Sequence, residues 1–170
     1  MTSHPNVLAT NRFILAFRVP DDLKDLLDMD DDPDVIRYVG PTPPRSEREV
    51  DWVNVLQTQD RRPVLTIRSR DTSEFMGWAF LRPYKDDSGD WELGYRLKKS
   101  AWGQGVGTEV AQALLDWGWQ QPQIQTIVAI YEAENTASLN IMLKLGMIPM
   151  GQRHYPNEGL LPYCAVTRPV

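Results

Sequence analysis

The stretch KKSAWGQGVGTEVAQALLDWGW, which begins at Lys98, constrains the fold of this 170-residue chain more than any other. Its glycines come immediately before a run of apolar residues at helical spacing. That run consists of Val110, Ala113, Leu114 and Trp117, on a helix that we predict from Val106 onward. The stretch is therefore predicted to be the point where a strand leads into a helix, with Gly103, Gly105 and Gly107 at the helix N-terminus.

A glycine loop before a helix suits an anionic ligand. Glycine has no side chain, so a ligand can approach backbone N–H groups that have no partner within the helix. Together with the helix dipole, such groups suit a phosphate or diphosphate. Lys98 and Lys99 add positive charge just upstream. A tight connection that binds nothing is the alternative interpretation of the loop.

Two familiar phosphate-binding motifs do not match this loop. The P-loop requires Gly-Lys followed by Ser or Thr, and the dinucleotide fingerprint requires a glycine where Thr108 stands. The predicted loop also follows three strands joined as an antiparallel meander, whereas a dinucleotide fold places it after the first strand. Glu132, near the end of the next strand, could act as a ribose-binding acid. A dinucleotide fold therefore stays open as a minor alternative.

Elsewhere the chain alternates strand-like and helix-like segments and has no internal repeat. Apolar alternation and β-branched or aromatic residues predict strands over 12–19, 63–70, 74–84, 91–97 and 124–131, and then a hairpin that turns at 157–159. Helices are predicted from Pro20, Ser46 and Val106 and over 135–146, with a short helical piece over 33–39. The prediction is an α+β fold with a mixed, mainly antiparallel sheet of about seven strands and about four helices.

The charge of the chain argues against nucleic acid as a partner. Eighteen Lys and Arg against 23 Asp and Glu give a net charge of −5, whereas a nucleic-acid footprint needs clustered positive charge. Five aspartates fall within DMDDDPD, from Asp28 to Asp34. This acidic run is interpreted either as a solvated loop or as a negatively charged segment that attracts a cationic amine.

The sequence also predicts an intracellular, cytoplasmic protein without a metal site. No run of 18 apolar residues is present, and the first residues lack the basic and apolar parts of a signal peptide. Cys164 is the one cysteine, and His4 and His154 are the two histidines, so no Cys/His cluster has metal-ligand spacing. We expect no membrane association and no bound metal.

Several motifs in order resemble the GNAT acetyltransferases. WGQGVGTEVAQALLDWG, then TIVAIYEAEN, then NTASLNIMLKLGM are similar to the acetyl-CoA-binding half of that superfamily. LATNRFILAFRVPDDLKDLL, PDVIRYVG and WELGYRL resemble its RimJ/RimL-type subgroup, which acetylates protein N-termini and small amines. The resemblance extends from about Leu8 to Arg168. It implies one acetyl-CoA-dependent N-acetyltransferase domain over residues 1–170.

The resemblance assigns the cofactor contacts to particular positions. The backbone N–H groups of four residues of the loop and helix would hold the diphosphate of CoA, namely Gln104, Gly105, Gly107 and Thr108. Asn135 would bond the pantetheine arm between two splayed strands, and the N–H of Leu97 would polarise the acetyl carbonyl. Trp102 occupies the place where the superfamily usually has Gln or Arg. Because the backbone does the binding, this departure is tolerable.

Glu92 and Ser138 are the predicted proton-transfer residues. An amine attacks only when it is neutral, and Glu92 lies where several GNAT enzymes keep a carboxylate that takes its proton through water. A solvent-facing strand glutamate is the alternative. Met142 stands where many GNAT enzymes have a tyrosine that protonates the leaving thiolate. Ser138 matches the serine that, by this resemblance, takes that role in the RimL-like branch. As the alternative, Ser138 only hydrogen-bonds to backbone groups in the first turn of its own helix, and Asn135 is only the N-cap.

The predicted function is transfer of an acetyl group from acetyl-CoA to a primary amine, by direct attack in a ternary complex. A protein or peptide N-terminal α-amine is the favoured acceptor. A polyamine or amino-sugar acceptor stays open, as does a non-catalytic acyl-CoA-binding module, which Met142 keeps under consideration. The partners would be acetyl-CoA and the amine acceptor, and the chain would be a monomer or a homodimer.

Overall fold

The computed structural model describes residues 6–58 and 64–169. His4 and Pro63, the predicted first residue of one strand, lie outside these residues. Eight strands are present: β1 (Asn6–Ala9), β2 (Phe13–Phe17), β3 (Val64–Ser69), β4 (Phe75–Pro83), β5 (Trp91–Leu97), β6 (Thr126–Ile130), β7 (Ile148–Tyr155) and β8 (Gly159–Thr167). The α-helices are α1 (Leu23–Asp30), α2 (Arg45–Thr58), α3 (Val106–Trp119) and α4 (Thr136–Lys144). Short 3-10 helices cover Pro20–Asp22 and Lys99–Ala101.

The strands form one mixed sheet in the order β1-β2-β3-β4-β5-β6-β8-β7. Strands β1, β2 and β3 pair antiparallel in turn, as do β6 with β8 and β8 with β7, while β5 pairs with β6 in parallel. The predicted α+β class with a mainly antiparallel sheet is confirmed. The predicted count of about seven strands is one short, because β1 has no counterpart in the prediction. A dinucleotide fold is excluded, because its sheet is mostly parallel.

The chain separates into two compact units. The first comprises the residues up to Ala79 together with Tyr95–Val106, and the second comprises Phe80–Gly94 together with the residues from Gly107 onward. Both β4 and β5 are therefore divided between the units.

The core of the first unit packs α1 and the segment after it against β4. Leu26, Met29, Val35 and Phe75 are buried together, with Trp52 and Trp78 partly buried against them. Residues 33–39 form successive turns, so the short helix predicted there is wrong. Val35 donates its N–H to the carbonyl of Asp32 at 3.1 Å, which is a turn bond rather than a helical ladder.

The acidic run from Asp28 to Asp34 covers the end of α1 and the turns that follow it, and it is paired with basic residues. Most of its carboxylates form ion pairs with basic residues of the same unit. Asp30 is 5% exposed and accepts a hydrogen bond from Arg96 at 2.7 Å. The other pairs join Asp28 to Lys24 and Arg45, Asp31 to Arg45 and Arg48, and Asp34 to Lys99 and Arg37. The side chains of Asp28, Asp31 and Asp34 remain 46%, 40% and 38% exposed, so the run is partly solvated as well as paired.

In the second unit, α3 buries one face of its apolar stripe. Val110 and Leu114 are buried as predicted, whereas Ala113 and Trp117 are half-buried at its flank. The buried face continues to Gly118, where an added Cβ would lie 2.8 Å from a methyl group of Leu81. Glycine at this position therefore allows α3 to approach β4 closely.

Candidate active site

The glycine loop leads directly into α3, as the sequence predicts. Gly103 and Gly105 have φ angles of 70° and 74°, in the left-handed region that side chains rarely adopt. Both are exposed, and α3 begins at Val106, so Gly107 and Thr108 belong to its first turn. The first N–H groups of a helix lack intrahelical acceptors. The loop therefore presents backbone donors at the positive end of a 14-residue helix.

Side chains of the loop tie it to the segment before it. The indole N–H of Trp102 donates to the carbonyl of Leu97 at 3.0 Å, and the amide of Gln104 donates to the carbonyl of Ser100 at 2.6 Å. Trp102 thus supports the backbone at the end of β5.

Arg12 is the cation at this loop that sequence analysis missed. Its Nη1 donates to the carbonyl of Gln104 at 3.0 Å, and its Nη2 lies 3.5 Å from the place where a Cβ of Gly105 would be. Lys98 and Lys99, which the sequence suggested, are engaged by Glu74 and Asp34. No local pattern could identify Arg12, because it stands 92 residues before Gln104.

The N–H of Leu97 points away from β4. Lys98 donates its N–H to the carbonyl of Met76 on β4 at 2.9 Å, and N–H groups alternate between the two sides of a strand. The opposite side of Leu97 is the side on which its carbonyl accepts the Trp102 indole. A donor with this orientation faces the far edge of β5.

A cavity of about 540 Å³ lies in the first unit, beside α1. Its lining combines apolar side chains with carboxylates and two lysines: Asp25, Asp28, Met29, Asp32, Val35, Glu74, Phe75, Lys98, Lys99 and Ser100. The size is typical of small-molecule sites. Asp25, Asp28 and Glu74 are already paired with basic side chains, so the lining does not by itself select a cationic ligand.

Glu92 is buried in the second unit, so the solvent-facing alternative is wrong. It is 4% exposed, and its Oε2 accepts hydrogen bonds from Nε and Nη2 of Arg82 at 3.1 and 3.0 Å. Nη2 of Arg82 also donates to the hydroxyl of Tyr155 on β7 at 3.4 Å. Burial, and next the charge of Glu92, raise the pKa of Tyr155 to about 12. The Tyr155 hydroxyl therefore stays protonated near neutral pH.

Glu158 lies within electrostatic range of both Glu92 and Glu132. Burial, followed by the charges of Glu132 and Glu92, raises the pKa of the Glu158 carboxyl. Glu158 is in the turn between β7 and β8, and Glu132 follows β6. Glu158 thus adds a second acidic group near Glu92.

Asn135 and Ser138 meet at the start of α4. The Asn135 side chain caps the helix, because its Oδ1 accepts the N–H of Ser138 at 3.1 Å. The cap uses Oδ1 alone, so it is compatible with a second contact through the amide nitrogen. Ser138 is half-buried, whereas Met142, one turn later, is 3% exposed and packs in the core.

The parallel ladder between β5 and β6 is short. In the described part of the chain it pairs Trp91 with Ile127 and Glu92 with Val128. Strand β6 continues to Ile130, and its other edge pairs with β8 along that whole length. Glu92 therefore lies at the last described pair of this ladder.

Neither a metal centre nor a membrane span is found among residues 6–58 and 64–169. No three His, Cys, Asp or Glu side chains of these segments are arranged to hold a metal ion. None of the helices described is both long and apolar enough to cross a bilayer.

Comparison with known proteins gives a consistent result. Residues 12–148 match the family model described as an acetyltransferase (GNAT) domain. The chain is 27% identical over 158 residues to the uncharacterized N-acetyltransferase p20 of Bacillus licheniformis, covering 91% of this chain and 84% of that protein.

Solved structures agree with the sequence match. A GNAT-family acetyltransferase from Bacillus anthracis superposes with a TM-score of 0.79 at 20% identity, covering 95% of this chain and 98% of the other. The aminoglycoside acetyltransferase AAC(6')-Ib in complex with coenzyme A superposes with a TM-score of 0.75 at 19% identity, covering 92% and 95%.

Proposed function

Because the chain belongs to the GNAT acetyltransferase family, we propose that it transfers the acetyl group of acetyl-CoA to a primary amine by direct attack in a ternary complex. The favoured acceptor is the N-terminal α-amine of a protein or peptide, as in the RimJ/RimL-type subgroup. The proposal includes one N-acetyltransferase domain over residues 1–170.

The observation that carries this proposal is the glycine loop at the start of α3. Left-handed Gly103 and Gly105, the donors of the first helical turn and the Arg12 guanidinium together suit a diphosphate. We propose that the N–H groups of Gln104, Gly105, Gly107 and Thr108 bind the diphosphate of CoA. Arg12 contributes the positive charge that an otherwise acidic chain must supply there.

The remaining cofactor contacts follow from the strand and the helix cap. Acetyl-CoA, when bound, supplies a thioester whose carbonyl carbon accepts the amine. We propose that Leu97 N–H donates to the carbonyl oxygen as negative charge builds on it, a donor typically worth about 3 kcal/mol. Asn135 binds the pantetheine arm through its amide nitrogen, and the short ladder between β5 and β6 supports an arm bonded to strand backbone beyond it.

Glu92 is proposed as the general base. An α-amine with a pKa of about 8 is neutral in roughly one molecule in ten at pH 7, so a base must accept the proton of the others. Burial beside Arg82 supports this role, because two hydrogen bonds from the guanidinium fix the orientation of the carboxylate.

A small amine is the second candidate acceptor. The carboxyl group of Glu158, which interacts with both Glu92 and Glu132, would help to attract an acceptor with several positive charges, such as a polyamine or an amino sugar. Solved relatives in this comparison include AAC(6')-Ib with kanamycin and coenzyme A. A peptide and an amino sugar differ in charge density, so one panel of acceptors distinguishes them.

Calorimetric titration with acetyl-CoA, followed by thiol release over a panel of amines, tests the proposal. The panel contains Ser- and Ala-starting peptides, the same peptides with acetylated N-termini, spermidine and kanamycin. We expect acetyl-CoA binding, and release of CoA thiol with the free peptides but not with the blocked ones. Faster release with spermidine or kanamycin would favour the second candidate. Binding without any release would instead indicate a non-catalytic acyl-CoA-binding module.

Ser138 is proposed as the acid that protonates the departing thiolate. Ser138→Ala is expected to lower kcat by about 10- to 100-fold with acetyl-CoA affinity nearly unchanged, because the thiolate is a good leaving group that needs little assistance. Thiol-release kinetics and calorimetry measure the two quantities. Asn140→Ala, an exposed position on the same helix, is the matched control. A kcat equal to that of the wild type would show that Ser138 has a structural role at the start of α4 and no role in catalysis.

A further inference from the structure

Arg82 is the basic side chain in direct contact with Glu92. It lies on β4 within the second unit, and both of its hydrogen bonds to Glu92 fall on the same oxygen, Oε2. Its Nη2 also lies 3.4 Å from the hydroxyl of Tyr155 on β7. Neither Arg82 bond engages Oε1 of Glu92. The guanidinium therefore fixes the carboxylate without occupying its second oxygen.

The guanidinium is itself held in place by an aromatic ring. The Cζ of Arg82 lies 3.9 Å from the ring centroid of Phe80, a favourable cation–π distance. That ring fills the space beside Gly94, where an added Cβ would lie 2.4 Å from the Phe80 Cζ atom. Gly94, Phe80 and Arg82 thus form a continuous support for Glu92, contributed by neighbouring strands.

We propose that Arg82 is a positioning residue for acetyl transfer: it keeps the buried Glu92 carboxylate ionised and directs Oε1 toward the proton of the acceptor amine. The inference rests on the proposed role of Glu92 as general base. Burial alone favours the neutral form of a carboxyl group, and a nearby cation reverses that preference. A carboxyl group that already carries a proton cannot accept one.

The proton balance of the step is simple. The N–H bond of the acceptor ammonium breaks and an O–H bond forms at Glu92 through water, which leaves an electron pair on nitrogen. That pair forms a C–N bond with the thioester carbonyl carbon and the C–S bond breaks. The thiolate leaves as CoA thiol with the second proton of the nitrogen, which Ser138 passes on. The carboxyl group later returns the proton to solvent. Arg82 keeps its own proton throughout and acts only through its charge and its two hydrogen bonds.

Other titratable groups surround Glu92, and none of them replaces the cation. Tyr155 on β7, Tyr84 just after β4 and Glu158 in the turn between β7 and β8 each interact electrostatically with Glu92. The two tyrosines are neutral near pH 7, and Glu158 carries the same charge as Glu92 when ionised. Removal of Arg82 would leave a buried carboxylate beside neutral tyrosines and a nearby acid.

Rate profiles between pH 6 and pH 9 for Arg82→Met and Arg82→Lys test the proposal. Met keeps most of the aliphatic stem on Phe80 and removes the charge, whereas Lys restores the charge. For Arg82→Met we expect kcat at pH 7 to fall about 10- to 100-fold, the acidic limb of the profile to move to higher pH, and acetyl-CoA KM to stay nearly constant. In Arg82→Lys we expect the acidic limb of the profile to lie close to its position in the wild type. A loss equal at every pH in Arg82→Met, or no loss, would overturn the proposal.

A readout that does not depend on turnover separates this inference from the proposed function. Carboxyl carbon NMR of glutamate-labelled protein follows the Glu92 titration, and Glu92→Gln identifies its signal. We expect Glu92 to take up its proton at higher pH in Arg82→Met than in the wild type, and an unchanged titration would refute the role of Arg82. If the wild type binds acetyl-CoA but acetylates no amine, the proposed function fails, and with it any positioning role for Arg82. If it acetylates amines and Glu92→Gln is fully active, only the roles of Glu92 and Arg82 fail.

Discussion

Replacing Asp22 by Ala is expected to destabilise the protein by about 3–5 kcal/mol, the usual cost of removing one partner of a buried ion pair. Asp22 is fully buried in the first unit and accepts three hydrogen bonds from different segments. Thr66 Oγ1 and Val19 N–H donate to its Oδ2 at 2.8 and 3.0 Å, and Arg68 Nη2 donates to its Oδ1 at 2.6 Å. The Ala variant leaves all three donors without this acceptor.

Urea unfolding at pH 7 measures the loss. Asp22→Asn keeps a side-chain oxygen for Thr66 and Val19 but not the charge for Arg68, so its loss of stability is expected to be smaller. Asp71→Ala, an exposed turn residue, is the control and should change stability by no more than about 0.5 kcal/mol. A loss in Asp22→Ala no larger than in this control would show that Asp25, which also binds Arg68, carries the interaction alone.

The sheet and the principal helices could be predicted because apolar residues recur at a regular spacing along their longer segments. The start of α3 at Val106 and the strand Trp91–Leu97 agree with the predicted positions. Strand β1 could not be predicted, since the four residues Asn6–Ala9 are too few to show alternation. It forms because β2 offers an edge with which it can pair, and that partner is a property of the fold.

Side chains that act across long sequence separations could not be predicted. From the sequence, the acidic run around Asp30 suggested either a solvated loop or a surface that attracts an amine. Its ion pair with Arg96 could not be predicted, because Arg96 stands 66 residues later in the chain. Arg12 at the glycine loop was missed for the same reason. Charge patterns report composition along the chain, whereas an ion pair depends on which strands become neighbours.

Burial at the candidate site was also hidden from the sequence. Glu92 was identified by its place in WELGYRL, but a strand with one polar face would expose it. In the structure both Glu92 and Leu93 are buried, so this part of β5 is covered on two faces. A charged residue tolerates such a position only with a partner, which Arg82 provides.

Glu92→Gln is expected to lower kcat at pH 7 by about 100-fold or more, within the usual range for loss of a general base. Gln retains the size of the side chain and an oxygen that can accept from Arg82, but it cannot take a proton. Without the base, only acceptor molecules that are already neutral can react. The loss should therefore be largest at low pH and shrink as the pH approaches the pKa of the acceptor amine, about 8 for an α-amine.

The identity of the acceptor amine gives this prediction its sharpest test. In Glu92→Gln the pH at which activity rises should follow the pKa of the amine, so a lysine-type amine near 10.4 should be almost inactive at pH 7. In Arg82→Met, by contrast, the limb belongs to a protein group and should be similar for both amines. Asp116→Asn, an exposed carboxylate on α3, is the control for loss of one charge. A Glu92→Gln profile parallel to that of the wild type for both amines would remove Glu92 from the proton transfer.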